Sequence, residues 1–257
     1  MTPSTINQQQ TTKKSIDLNC DLGEGGKHDA EIMPLISSCN IACGGHFGNE
    51  ASIAICIELA MKNKVNIGAH SSYPDRKNFG RLPVEISLAE LKKEITEQIE
   101  RVLKIAKLKK GRLHHVKPHG KFYNDLMTDV EKAEILIDVI LKIDPKLVLF
   151  VPPKSVVKKL AEGKLKTMTE GFADRKYEAN FRLVSRQKKG AVLTQKEVIF
   201  EQVFSMVSKG KITLENGSVL NENFDTICVH SDTPNCVEIL NYLNQKLPKK
   251  NIQISRK

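Results

Sequence analysis

Short apolar runs alternate with amphipathic helical stretches along nearly the whole chain, and that alternation limits the fold more than any other feature. Runs of strand length fall at residues 15–19, 40–43, 65–70, 113–117, 147–151, 166–171, 191–193 and 225–230. The helical stretches between them carry start and stop signals. Ser87 with Glu90 forms a capping box ahead of the stripe Leu88, Leu91, Ile95, Ile99, Val102, Leu103 and Ala106, and Gly111 supplies the stop. Thr194 with Glu197 repeats the box before Val198, Ile199, Val203, Met206 and Val207, with Gly210 as the stop. Asn49 caps a helix running to about residue 63, Asp129 one running to Ile143, and Thr233-Pro234 one running to Leu247.

Strand and helix in alternation require a parallel sheet with crossover helices. Seven or eight such units in 257 residues close most simply into a single α/β domain, a β/α barrel over residues 15–250. An open doubly wound sheet is the rival, weakened because no Gly-x-Gly-x-x-Gly follows the first run. Residues 1–14 read as a polar, disordered tail and residues 251–257 as a basic one.

Composition removes several function classes. No apolar run approaches the ~18 residues of a membrane span, and residues 1–14 lack the apolar segment of a signal peptide, so the expected setting is cytoplasmic. The six cysteines form no Cys-x-x-Cys pair and read as buried free thiols; Cys39 and Cys43 alone make a weak metal motif. The net charge is +10, with eight Lys/Arg and no acid from Arg101 to Lys121. With no Trp and few aromatics among these lysines, stacking platforms for nucleic acid are not evident, and solvated helix faces explain the charge. No Gly-x-x-x-x-Gly-Lys-[Ser/Thr] phosphate loop occurs.

The chemistry gathers where the runs end. The first passes through Asp17, Asn19, Asp21, Gly23 and Glu24, the second reaches Cys43 and His46, and the third ends at His70. The fourth gives Lys117 and His119, a later one Glu170, Asp174 and Arg175, and the last His230 and Asp232. In a β/α barrel the C-terminal strand ends build the active site. Each residue alone has a plainer use: a cap, a turn, a hydrogen-bonded histidine. Together they read as an enzyme mouth. His46, His70, His119 and His230 with Asp21 and Glu24 suit either a divalent metal or metal-free proton transfer, and the spacing does not separate the two. Lys117, Arg81 and Arg175 suit a carboxylate, a phosphate or a developing oxyanion.

These same residues resemble the LamB/YcsF family. The resemblance rests on Asp-Leu-Asn-x-Asp-Leu-Gly-Glu over 17–24, Asn-Ile-Ala-Cys-Gly-x-His over 40–46, Gly-Ala-His over 68–70 and Phe-Gly-Arg over 79–81. Lys-Pro-His-Gly-x-x-Tyr-Asn over 117–124, Phe-Ala-Asp-Arg-x-Tyr over 172–177 and His-x-Asp-Thr-Pro over 230–234 complete it. It implies a seven-stranded β/α barrel similar to the glycoside hydrolase and polysaccharide deacetylase fold. It also implies the A component of a three-subunit enzyme that opens 5-oxoproline to glutamate with ATP and Mg2+, alongside subunits B and C, with a homo-oligomer as a further possibility.

On that resemblance Asp21, Glu24, His46, His70, Lys117 and His119 are the catalytic candidates, and the three histidines are also the candidates for a bound divalent metal. Asn19, Arg81, Asn124, Asp174, Arg175, His230 and Asp232 are the candidates for holding substrate. The chain departs from the family pattern at Asn49 (usually Asp), Leu82 (usually Arg) and Ser231 (usually Gly), and Asn49 either alters the charge near His46 or serves only as a helix cap. Two other readings stand beside this one: a stand-alone metal-dependent amide or carbohydrate hydrolase, and a non-catalytic scaffold that binds through basic helix faces.

Overall fold

The computed structural model describes residues 13–255. Its elements run β1 Lys14–Leu22, α1 Asp29–Ile32, β2 Ser38–Ala42, α2 Glu50–Lys62, β3 Asn66–His70, α3 Leu88–Leu108, β4 Leu113–Val116, α4 Gly120–Asp125 and α5 Val130–Ile143. There follow β5 Val148–Val151, α6 Val156–Ala161, β6 Thr167–Phe172, α7 Lys196–Lys209, β7 Lys211–Thr213, β8 Val219–Asn221, β9 Thr226–Cys228, α8 Cys236–Lys246 and β10 Ile252–Ile254. Strands β1 to β6 and β9 pair in parallel in that order, and β9 pairs with β1 through Asp17↔Thr226 and Asn19↔Cys228. The sheet is therefore a closed seven-stranded barrel with helices outside.

Strand alternation divides the side chains between two cores. On β1, Leu18, Cys20 and Leu22 face outward into the layer of helices, a core that takes in Leu91, Ile95, Ile99, Leu136 and Ile140. Asp17, Asn19 and Asp21 face inward and are buried. Val148, Phe150 and Met168 form a separate apolar cluster. His115 stacks on Phe150 with ring centroids 4.1 Å apart. Gly68 makes room for His115, because a Cβ on Gly68 would lie 2.0 Å from His115 Nε2.

The capping signals fare unevenly. Ser87–Glu90 forms the expected box at α3, and Asp129 caps α5. Asn49 caps α2 in a box with Ser52. The exposed Asn49 side chain is thus engaged with its own helix, which is the cap reading of that departure. Thr194 caps nothing: α7 starts one residue after Gln195, which makes no side-chain cap.

Three expectations are corrected. Residues 191–193 form no barrel strand; Val192 makes one isolated bridge to Arg175, because loop 173–195 returns over the barrel end instead of crossing the sheet. The antiparallel pair β7–β8 had no sequence signal. The basic tail from 251 begins instead with β10, which pairs with β1 through Lys14↔Ile252 and Ile16↔Ile254. Residues 1–12 of the N-terminal tail lie outside the described residues, whereas Lys14 already belongs to β1.

The Gly68–His115 contact sets an expected outcome. Gly68→Ala overpacks the barrel interior and should destabilise the chain by about 1–3 kcal/mol. In a His115→Ala background the same change should cost less, and a double-mutant cycle by urea unfolding checks both.

Candidate functional site

Lys117 is the centre of the barrel's polar interior. Its Nζ donates to Asp21 Oδ1 at 2.7 Å and sits 3.0 Å from Glu170 Oε1, 3.1 Å from Cys228 Sγ and 3.4 Å from Asn19 Oδ1. The ammonium, 2% exposed, is compensated by two carboxylates that are themselves buried. Asn40 Nδ2 lies 2.8 Å from both Asn19 Oδ1 and Asp21 Oδ1, and Asn19 Nδ2 donates to Glu170 Oε1 at 3.0 Å and Thr226 Oγ1 at 2.7 Å. Burial alone would raise the Asp21 pKa, but the charges of His70 and Lys117 outweigh it and hold the carboxyl well below its ordinary value. Burial likewise opposes the Lys117 charge, and Asp21, Cys228 and Glu170 overcome it, so the amine stays protonated.

Next to this group, Glu24 Oε1 lies 2.8 Å from His46 Nε2, 3.4 Å from His119 Nδ1 and 3.7 Å from His70 Nε2. His70 Nε2 lies 2.9 Å from His119 Nδ1 and 3.3 Å from Asp21 Oδ2. The His46 and His119 rings stack, centroids 3.7 Å apart and 5° from parallel. Burial lowers the pKa of His46, and burial with the neighbouring His46 and His70 pushes His119 well down. Burial also opposes charge on His70, but Asp21 prevails and raises it. Gly80, in the left-handed region at φ +62°, packs the 79–81 turn on these rings; a Cβ there would come within 3.0 Å of His46 Cβ and 3.2 Å of His119 Cδ2.

A cavity of ≈ 520 Å³ opens above both groups. Asp21, Glu24, His70, Lys117 and His119 lie at its base; Arg81, Arg175, Arg186, His230, Asp232 and Asn124 also line it, with Phe172, Leu183 and Val184 as apolar wall. Arg81 Nη2 and Arg186 Nη1 each donate to Asp232 Oδ2 at 2.7 Å. Burial works against the Asp232 charge, yet Arg186 and His230 bring its carboxyl down to about 2. Arg175 is deeper: one guanidinium nitrogen donates to the Val184 carbonyl at 2.6 Å, and burial with Arg186 nearby lowers its pKa to about 10. Tyr123 Oη, Glu170 Oε2 and Arg175 Nε are buried with no hydrogen-bond partner among the described residues.

Three candidates do not line the cavity. Asn19 lies off the lining with its amide engaged by Glu170, Thr226, Asn40 and Lys117 in the barrel network. His46 stands behind Glu24. Asp174 is fully buried and accepts from His230 N at 3.0 Å and Nδ1 at 2.9 Å, and from Thr233 Oγ1; it positions His230.

Sequence reasoning gave no role to Glu170, Arg186 or Tyr123. Glu170 had a usable signal, since it is an inward position two residues before Phe172 on β6. Arg186 had none, because it lies in the irregular loop 173–195. His115 fills the barrel interior and donates to Asn40 Oδ1, 2.8 Å away. The six cysteines are free and buried.

The LamB/YcsF family model matches residues 16–257. The chain belongs to the LamB/YcsF family. A relative from Pyrococcus furiosus, named as the A subunit of 5-oxoprolinase, is 39% identical over 245 residues, covering 93% of this chain and 96% of its own length. One of the same name from Staphylococcus carnosus is 36% identical over 249 residues, covering 94% and 98%. The crystal structure of a lactam utilization protein from Thermus thermophilus superposes with TM-score 0.88 at 32% identity, covering 95% of this chain and all of that one. A family 4 carbohydrate esterase from Streptomyces lividans gives TM-score 0.51 at 12% identity over 95% and 92% of the chains, a likeness of fold alone. These LamB/YcsF relatives support a hydrolase-type role related to 5-oxoprolinase. No helix among the described residues is long and apolar enough to cross a membrane.

The Lys117 group makes a stability test. Lys117→Met strands Asp21 and Glu170 as buried carboxylates and should destabilise this LamB/YcsF chain by about 3–5 kcal/mol. Adding Glu170→Gln should recover part of the loss, measured by urea unfolding.

Proposed function

We propose that this chain is the lactam-binding A component of an ATP-dependent 5-oxoprolinase, opening 5-oxo-L-proline to L-glutamate with partner subunits B and C. The observation that carries the reading is the buried Lys117 ammonium at the base of a cavity whose rim holds Arg81 and Arg186. A five-membered lactam resists water because amide resonance weakens its carbonyl as an electrophile and its nitrogen as a leaving group. Transfer of the ATP γ-phosphoryl to the lactam oxygen, with release of ADP, makes the ring carbon open to attack.

In this reading Arg81 and Arg186 pair with the substrate carboxylate. Their bonds to Asp232 use one donor each of the five that a guanidinium carries. Arg175 Nε, buried without a protein partner, is a donor left for the ligand. Lys117 offsets the negative charge of the phosphorylated lactam group. Glu24 with His70 and His119 positions the attacking water and takes its proton. That water's oxygen bonds to the ring carbon, the carbon–nitrogen bond breaks as the nitrogen is protonated, and the acyl phosphate so formed loses phosphate to a second water. ATP and Mg2+ use is assigned mainly to the partner subunits.

Glutamate release from 5-oxoproline by the chain mixed with subunits B and C is the test. Release should require both this chain and ATP. Arg186→Ala should raise KM about tenfold or more with a smaller effect on kcat, because it removes a ground-state carboxylate contact. Release without ATP by this chain alone would favour the stand-alone hydrolase, and no release from partners that a related A component does activate would sink the reading.

A further inference from the structure

Three imidazoles and a carboxylate converge beside the cavity base. His70 Nδ1 lies 2.7 Å from the Lys117 carbonyl oxygen and His119 Nε2 lies 2.9 Å from that of Phe79. A carbonyl only accepts, so both nitrogens carry hydrogen. His46 Nδ1 lies 3.0 Å from Ser72 Oγ, which is itself 2.9 Å from the Tyr73 carbonyl oxygen; with the hydroxyl hydrogen on that carbonyl, His46 Nδ1 is the donor. In a neutral imidazole the other nitrogen is then a bare lone pair. Those lone pairs are His46 Nε2, His70 Nε2 and His119 Nδ1, and they converge with Glu24 Oε1, all within 4.8 Å of one another.

In these protonation states the four acceptors need positive charge among them, supplied either by protons on the rings or by a bound ion. Protons would have to be placed twice, on His70 for its contact with His119 at 2.9 Å and on His46 Nε2 for its contact with Glu24 Oε1 at 2.8 Å. One ion serves all four. A tetrahedral ion with bonds of ~2.0–2.1 Å holds its donors roughly 3.3 Å apart. Four of the six separations, at 2.8, 2.9, 3.4 and 3.7 Å, fall on both sides of that value, and all six lie within 4.8 Å. The outward hydrogen bonds to Ser72, Lys117 and Phe79 are the kind that fix the tautomer of a metal-bound histidine. Three imidazoles with one carboxylate and no thiolate suit a first-row divalent ion.

We propose that Glu24 Oε1, His46 Nε2, His70 Nε2 and His119 Nδ1 bind one first-row divalent cation, with Zn2+ as the reference case. Glu24, His70 and His119 line the cavity, so the ion is reachable by water and ligand from that side. The inference concerns the same site as the lactam reading but does not need its substrate or ATP.

Zn2+ titration of the chelator-treated full chain, followed by calorimetry and by metal analysis after gel filtration, is the experiment. One tightly held ion per chain is expected. Ser72→Ala, which removes only the acceptor behind His46, should weaken it ~10–100-fold. Glu24→Gln and His119→Gln should weaken it further, with circular dichroism confirming that each variant is folded. Absence of a stoichiometric ion in the unaltered chain overturns the proposal, as does binding that folded Glu24→Gln and His119→Gln leave unchanged. Tight Zn2+ binding in a chain that supports no 5-oxoproline hydrolysis would keep the ion site and remove the lactam reading. Full hydrolysis by a chain with no affinity for the ion would do the reverse.

Discussion

A lysine ammonium enclosed by a barrel is the constraint around which the rest of the interior is arranged. Charge in a protein interior persists only with opposite charge and hydrogen bonds close by. Lys117 has both, from Asp21, Glu170 and Asn19. These partners and the lysine come from three regions of the barrel, so the ion pairs also fix which inward positions of β1 and β6 lie level with the end of β4. Asn40 then links Asn19 to Asp21, and His115 links Asn40 to the fourth strand. Lower down, Asp17 accepts from Ser37, Ser38 and Thr226, and its pKa is raised because burial outweighs those bonds. The barrel is thus filled with matched polar groups on one side and with Val148, Phe150 and Met168 on another.

This packing explains where chemistry is possible. Groups whose polar atoms are all matched, such as Asn19 and Asp17, hold the frame. A group that retains an unmatched atom beside the cavity, such as Arg175, is the one able to meet a ligand. The apolar wall of Phe172, Leu183 and Val184 lowers the local dielectric and strengthens any charge interaction made there.

Much of this was legible in the residues. The short apolar runs and the helical stripe from Leu88 to Ala106 pointed to strands and crossover helices, and the strand-end histidines pointed to the mouth. What was not legible follows from geometry. Residues 173–195 bear no period because they pack as an irregular loop, so Arg186 could not be separated from any surface arginine. Residues 191–193 look like a strand because three apolar residues adjoin, yet only Val192 finds a bridge partner. Ile252 and Ile254 are too few to signal a strand among lysines, and gain their structure from pairing with β1. That the Asn19 amide is engaged within the barrel and off the cavity lining depends on depth in the barrel, which chain order does not encode.

The Arg81–Asp232–Arg186 arrangement makes the rim behave like an ion-exchange resin that carries its own fixed counter-ion. The positive field of both arginines is already partly neutralised before any ligand arrives, so a neutral molecule gains nothing from it. An anion bound there would share or displace the bond to Asp232, and the two loops that carry the arginines would then be joined through the guest instead of through the protein. Selectivity for charge and cohesion of the rim are in this way one and the same contact.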